Sequence, residues 1–143
     1  MSFPQDETTH LNRLHIDMKL PGLNEYTNAN REHTQAGAAF KRKTEKDIAI
    51  FIQMARLKRE LVPIKTPVRL RIEWHEKTAR RDPDNIISAK KFILDALVKC
   101  GILPDDSQKY IKGFTEDIIV DGTSGVFVWF EPYRNNQNEK INP

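Results

Sequence analysis

The sequence contains a single cysteine, and this scarcity excludes a disulfide within the chain. It also argues against a metal site built from thiolates. Cys100 stands at the end of an apolar helical pattern, which favours a buried thiol over a reactive one. We therefore expect a single domain held by one apolar core, which 143 residues are enough to build.

Long hydrophobic runs are also missing. No apolar run approaches the roughly 20 residues of a membrane-spanning helix. The N-terminus MSFPQDETTH lacks the basic region and apolar core of a secretion signal, so we expect a cytoplasmic protein. Charged residues make up 30% of the chain and the net charge is +3, a balance that permits nucleic-acid binding without establishing it.

Two pairs of aspartates flank a helical pattern in the stretch RRDPDNIISAKKFILDALVKCGILPDD. Asp82 and Asp84 come directly before the pattern, and Asp105 and Asp106 come directly after it. Apolar residues recur between them at about 100° per residue, as on one face of a helix. These apolar residues are Ile86, Ile87, Ile93, Leu94, Leu97 and Val98.

The pattern predicts a helix from about Asn85 to Lys99, with Asp84 as its N-cap and Gly101 just past its end. Such a helix is ~20 Å long at about 1.5 Å per residue, so its two ends cannot share a metal ion directly. The acidic pairs can meet if Ile102–Asp106 folds back along the helix, or if two subunits contribute one pair each. Otherwise they are separate features.

Two lysines of this helix differ in their positions on the helical wheel. Lys90 falls near the middle of the apolar arc, and Lys91 falls at its edge, about 20° from Asp84. Helical side chains lean toward the N-terminus, so Lys91 is predicted to approach the Asp82 and Asp84 end.

Carboxylates without cysteine or paired histidine suit Mg²⁺ and Mn²⁺, which prefer oxygen ligands and keep several waters. In phosphodiester hydrolysis such ions activate water and stabilise the leaving oxygen, and a lysine adds positive charge. The alternative is that DPDN is a turn with a helix cap and that PDD is a surface turn. His33, His75 and Glu76 could join a metal site, or have structural roles.

The rest of the chain predicts an α+β fold in a single domain, residues 1–143. We expect a mixed sheet of about four strands, with two main helices on one face and the order β-α-β-α-β-β. A loose leader (1–12) and a polar tail (132–143) are expected to flank it. The predicted strands are 14–20, 68–74, one from about 109 to 115 or 120, and 126–131. The last two are predicted to form a hairpin near Asp121-Gly122. The first helix is predicted at about 35–59.

Two segments are candidate ligand contacts. The segment LNEYTNANREHTQ has no hydrophobic period, which predicts a loop that either binds a polar ligand or is a solvated connection. The first long helix is basic and could follow a phosphate backbone, or present a solvated face. The loop candidates are Asn24, Tyr26, Asn28, Arg31 and His33, and the DNA-binding candidates are Lys41, Arg42, Lys43, Lys46, Arg80, Arg81 and Lys90.

The motifs RRDPDNI, KKFILDALVKCGILPDD and IKGF resemble those of the RusA family of Holliday-junction resolvases, often prophage-encoded. The resemblance covers roughly Leu14 to Glu131 and includes LPGLNEY, the basic helix and the strand from Val68 to Trp74. It implies a RusA-like fold and a Mg²⁺-dependent endonuclease, with Mn²⁺ as a substitute. It also implies that the enzyme is a homodimer, which makes paired symmetric nicks in four-way junction DNA during recombination and repair.

The resemblance also implies the site residues. The family's metal-binding aspartates fall on Asp82, Asp84, Asp105 and Asp106, and its essential lysine precedes the aspartate of D-A-L by four residues, which gives Lys91. Counted forward from Asp84, the family spacing would instead reach Ser88, because this chain is about three residues longer between DN and D-A-L than the best-known members of the family. Lys90 stays open as the second choice. The alternative functions are a non-catalytic module that binds branched DNA and a structural protein of a phage or prophage.

Overall fold

The computed structural model of the protein describes residues 12–32 and 34–134. The helices and strands in chain order are β1 (Asn12–Ile16), α1 (Leu23–Glu32), α2 (Thr34–Leu57), β2 (Val68–Glu76), α3 (Pro83–Ile87), α4 (Lys90–Lys99), β3 (Ile111–Val120) and β4 (Gly125–Pro132). Nearly all of the predicted leader and tail, and His33, lie outside the described residues. No helix within the described ranges is long and apolar enough to cross a membrane.

The four strands form one mixed sheet in the order β1-β4-β2-β3. β4 pairs antiparallel with both β1 and β2, whereas β3 runs parallel to β2. Alternate residues of β1, β2 and β4 enter one core cluster together with apolar residues of α2, α3 and α4. This arrangement confirms the predicted α+β class, with a four-stranded mixed sheet in a single small domain.

Hydrophobic periodicity correctly located strand β2 and helix α2. The alternation of Val68, Leu70, Ile72 and Trp74 puts all four side chains in the core from strand β2. In α2, Ile48, Ile52 and Ala55 are buried, and Phe40 and Phe51 pack against the core. The apolar stripe of α2 is therefore the predicted one, and its helix ends within two residues of the predicted Arg59.

The predicted loop after Pro21-Gly22 is wrong, because residues Leu23–Glu32 form α1. The Glu25 carboxylate accepts the backbone N–H of Gly22 at 2.8 Å, and Tyr26 N–H bonds to the Gly22 carbonyl at 3.2 Å. A Glu that reaches back three residues to the N-cap is half of a capping box. The element order therefore has a helix pair where one helix was predicted.

The predicted hairpin of the last two strands is also wrong. β2 lies between β3 and β4, so the two strands are not neighbours in the sheet. The connecting turn crosses the end of β2, where Asp121 N–H donates to the Glu76 carbonyl at 3.2 Å and the Asp121 carboxylate contacts His75 Nδ1 at 2.7 Å. These contacts with β2 take the place of a tight turn between adjacent strands.

The predicted helix from Asn85 to Lys99 is divided into α3 and α4 at Ser88 and Ala89. Ser88 Oγ donates to the Asn85 carbonyl at 2.7 Å, and it also accepts the Leu23 N–H at 2.7 Å. A side chain that bonds to nearby backbone in this way competes with the helical ladder. Pro83 begins α3, so Asp84 lies in the first turn instead of at the N-cap, which Asp82 occupies without a side-chain hydrogen bond.

Gly22 is packed so closely against α3 that we expect Gly22→Ala to destabilise the fold. A Cβ at this position would lie 2.3 Å from the Asn85 carbonyl oxygen and 2.5 Å from its side-chain oxygen. The backbone must move to accept it, at a cost of about 1–3 kcal/mol in unfolding free energy measured with urea. Gly113→Ala is the control, because its added Cβ meets only the flexible end of Arg69. Equal losses in the two variants would contradict the close contact between Gly22 and α3.

Candidate active site

The segment after α4 folds back along the helix and reaches its first turn. Lys91 is the second residue of α4, and its ammonium nitrogen lies 3.1 Å from the Asp106 carboxylate. Leu103 N–H and Ile102 N–H both bond to the Leu97 carbonyl, which fixes the reversal. Of the arrangements that the sequence left open, the chain itself therefore provides the fold-back that brings Asp106 to the lysine.

Lys91 also pairs with Asp95 at 3.1 Å, one turn further along α4. The same Asp95 carboxylate contacts Lys41 of α2 at 3.3 Å, so one carboxylate holds two ammonium groups. Hydrogen bonds to Asp95 and then to Asp106 raise the pKa of Lys91 above its ordinary value. Lys91 therefore stays protonated at neutral pH and can supply positive charge, but it cannot act as a general base.

This geometry differs from the predicted lean of Lys91 toward Asp82 and Asp84. Among the described residues, no ion pair joins Lys91 to either aspartate. Asp95 and Asp106 draw the ammonium group to their own side, and the break at Ser88 and Ala89 interrupts the helical geometry on which the expectation depended.

Lys90 occupies a different environment. Its ammonium group lies 2.7 Å from Glu116 of β3 and 4.0 Å from the centre of the Phe114 ring. Glu116 also accepts the indole N–H of Trp74 at 2.9 Å. Lys90 thus joins α4 to the sheet, as its place on the apolar arc would require, and its contacts are structural.

Three of the four candidate aspartates are free of ion pairs within the described residues. Asp82 and Asp84 are exposed at the start of α3, where Asp84 accepts the Asn85 N–H at 3.0 Å. Asp105 accepts the Ser107 N–H at 2.8 Å, and hydrogen bonds from Ser107 lower the pKa of its carboxyl. These carboxylates are accessible and Asp105 stays ionised well below neutral pH.

The described residues contain no group of three His, Cys, Asp or Glu side chains that could hold a metal ion. One cage of all four aspartates stays a prediction. The donor chemistry nevertheless suits Mg²⁺, which keeps several waters and is usually bound by one or two carboxylates together with phosphate oxygens. Exposed, unpaired carboxylates are donors of that type.

A contact between α1 and α3 was not predicted, although it organises the acidic end of the site. Asn85 is buried, and its side-chain oxygen accepts the Asn24 N–H at 2.9 Å. Together with the bond from Leu23 to Ser88, it satisfies free N–H groups at the start of α1. The LPGLNEY motif is thereby fixed next to the aspartates of RRDPDNI. Glu25, three residues after Gly22, is the sequence signal that identifies this helix start.

The candidate DNA-binding residues divide by their contacts. Arg42, Lys46 and Arg80 are exposed, and no ion pair engages them within the described residues. Lys43 pairs with Asp47 at 3.0 Å on the exposed face of α2. Arg81 is 13% exposed, forms two hydrogen bonds to Glu76 at 3.0 and 2.7 Å, and donates to the Leu20 carbonyl. These contacts within the fold occupy its guanidinium group.

The other candidates form no ion pair with Lys91 within the described residues. His75 is buried between Glu73, at 3.2 Å, and Asp121, at 2.7 Å. Glu76 is engaged by Arg81. Of the α1 residues, Asn28 and Arg31 are exposed, and Tyr26 is partly buried beside Phe40 and Phe92. Cys100 is a free thiol of intermediate burial.

Comparison with known proteins adds no further assignment. No protein-family model matches this sequence, and no curated protein is significantly similar to it.

Proposed function

We propose that this protein is a RusA-like, Mg²⁺-dependent endodeoxyribonuclease that resolves four-way DNA junctions by paired nicks. The observation that carries the proposal is the 3.1 Å contact between Lys91 and Asp106. Without the fold-back, the acidic residues that follow the ten-residue helix α4 would lie ~15 Å from its first turn. The motif resemblance gives the reaction, and the contact supplies one geometric condition that the reaction needs.

The exposed carboxylates of Asp82, Asp84 and Asp105, with Asp106, would hold Mg²⁺ or Mn²⁺ when DNA phosphates complete the coordination. The ion supplies Lewis-acid activation of the phosphoryl group and of water. Lys91, protonated beside Asp106, supplies positive charge to the phosphate that gains negative charge in the transition state. Asp95 positions Lys91 for this role.

The exposed cations Arg42, Lys46 and Arg80 would neutralise DNA phosphates. Symmetric nicks in a two-fold junction suit a homodimer with two-fold symmetry, which we include in the proposal. The proposal also includes a cytoplasmic location and a role in DNA recombination and repair.

Asp84→Asn is expected to lower the cleavage rate of a synthetic four-way junction in Mg²⁺ by about 100-fold or more, because metal catalysis contributes several kcal/mol. Binding of the same junction in EDTA should be unchanged or stronger, since a carboxylate that repels phosphate is removed. Single-turnover cleavage and a metal-free binding titration measure the two effects.

Asp117→Asn is the matched control, because Asp117 is also exposed but lies on β3. It should cleave at the wild-type rate. Full activity in Asp84→Asn would refute the metal-site assignment. A wild-type protein that binds junctions tightly in EDTA but cleaves none of several junction sequences would favour the non-catalytic branched-DNA-binding module.

A further inference from the structure

A cavity of about 290 Å³ opens beside the Lys91 contact, between α1, α2 and α4. Its volume is near the lower limit of small-molecule sites, which span about 300–1,000 Å³. Such a space suits one nucleobase better than a base pair. The lining residues are Leu23, Tyr26, Lys41, Ser88, Lys91 and Phe92.

The walls of the cavity are mainly apolar and aromatic. The Tyr26 and Phe92 rings meet edge to face with centroids 5.9 Å apart, and both pack on Phe40 at 6.1 and 6.4 Å. This three-ring cluster fixes the wall. Leu23 also lines the cavity, and its side chain is 52% exposed. Aromatic and apolar surface of this kind can stack a base of any identity.

Two cations stand at the opening. Lys41 and Lys91 are both held by Asp95, at 3.3 and 3.1 Å, so their ammonium groups lie next to each other on α2 and α4. Lys41 is 42% exposed and Lys91 is 65% exposed, which leaves both groups accessible to an anion. An aromatic pocket with lysines at its mouth has the chemistry of a single-stranded nucleotide site, where the base stacks and the phosphate meets the cation.

We propose that this cavity receives one unpaired nucleobase of the DNA substrate, with the adjoining phosphate on Lys41 and Lys91. The inference rests on the proposed function for its ligand, DNA, but it concerns binding and not catalysis. A base held here would fix the neighbouring phosphodiester beside Lys91 and Asp106. The cavity would therefore set which phosphodiester near the branch point is placed for cleavage.

The test is a thermodynamic cycle between protein and DNA, measured as binding in EDTA so that the junction stays intact. Abasic nucleotides are placed one at a time near the branch point of a four-way junction. At one position, loss of the base should weaken wild-type binding about tenfold, the scale of one base–aromatic stack. Tyr26→Leu, which removes the aromatic ring but keeps apolar bulk, should weaken binding of the intact junction by a similar factor.

The combined change should cost no more than either change alone, because both remove the same contact. Leu23→Ala should show the same coupling in weaker form. Leu57→Ala is its matched control, since Leu57 is an 85% exposed leucine near the far end of α2. Thermal unfolding of Tyr26→Leu and Leu23→Ala checks that both variants are folded.

Additive losses, or no sensitive abasic position, would overturn the inference. Absence of wild-type binding to any branched DNA would overturn it together with the proposed function. Coupling at one position in a protein that never cleaves would support the nucleobase site and refute only the nuclease.

Discussion

Lys91→Met should lower the single-turnover rate of junction cleavage about 10²–10³-fold, the usual cost of removing one group that stabilises transition-state charge. Its raised pKa keeps the lysine charged, and 65% exposure of its side chain leaves it accessible to a DNA phosphate. Stability should change by less than about 1 kcal/mol, because exposed ion pairs contribute little. Rapid-quench cleavage and urea unfolding of the same preparation separate the two effects.

Lys90→Met is the informative comparison, because Lys90 has a structural role and is not proposed to act in catalysis. Loss of its contacts with Glu116 and Phe114 should lower the unfolding free energy by about 1–2 kcal/mol. Its cleavage rate per folded molecule should stay close to that of the wild type. Lys65→Met, an exposed lysine before β2, should leave both quantities unchanged. If Lys90→Met loses activity and Lys91→Met keeps it, the assignment of the two lysines is reversed.

Arg81→Ala should have the largest effect on stability, a loss of about 3 kcal/mol in unfolding free energy. The Glu76 side chain is 8% exposed and its carboxylate receives both hydrogen bonds from the Arg81 guanidinium. Removal of the arginine leaves a buried charge without a partner, which costs more than the pair contributes when intact. Equilibrium unfolding in urea measures the loss.

Arg80→Ala is the matched control, because Arg80 precedes Arg81 in the chain but is exposed. Its unfolding free energy should stay within about 0.5 kcal/mol of the wild type. The double variant Arg81→Met/Glu76→Met should recover most of the stability, since neither a buried charge nor an unpaired polar group remains at the pair. An Arg81→Ala protein as stable as Arg80→Ala would show that the Glu76 pair is not needed by the fold.

The helices and strands that were predicted correctly are those whose hydrophobic pattern lies within their own segment. Apolar and polar residues alternate in β2 from Val68 to His75, and α2 carries its apolar stripe at helical spacing, so periodicity alone is enough. α1 lacks a buried residue, and the groups that satisfy its first N–H donors come from Asn85 and Ser88, more than 60 positions away. No local pattern encodes such a partner. Only Glu25 signalled the helix within its own segment.

The candidate site divides in the same way. The helical wheel predicted different environments for Lys90 and Lys91. In the structure Lys90 contacts Glu116 of the sheet, and Lys91 is exposed at the surface. The partner of Arg81 could not be predicted, because a guanidinium beside a DNA-binding motif and one that pairs with a buried carboxylate have the same sequence signature. The two are distinguished by burial, which depends on the whole fold.

The position of β4 has a consequence for biosynthesis. β1 and β2 leave the ribosome early, but they do not pair with each other; Gly125–Pro132 must be inserted between them. Pairs such as Asn12 with Phe130 therefore join residues separated by most of the chain, a topology that folds slowly. A nascent chain halted before residue 125 has two unpaired strand edges and no completed core to hold α4 and Lys91. The proposed nuclease activity would thus require synthesis to have passed β4, and interrupted products would be substrates for chaperones and proteases.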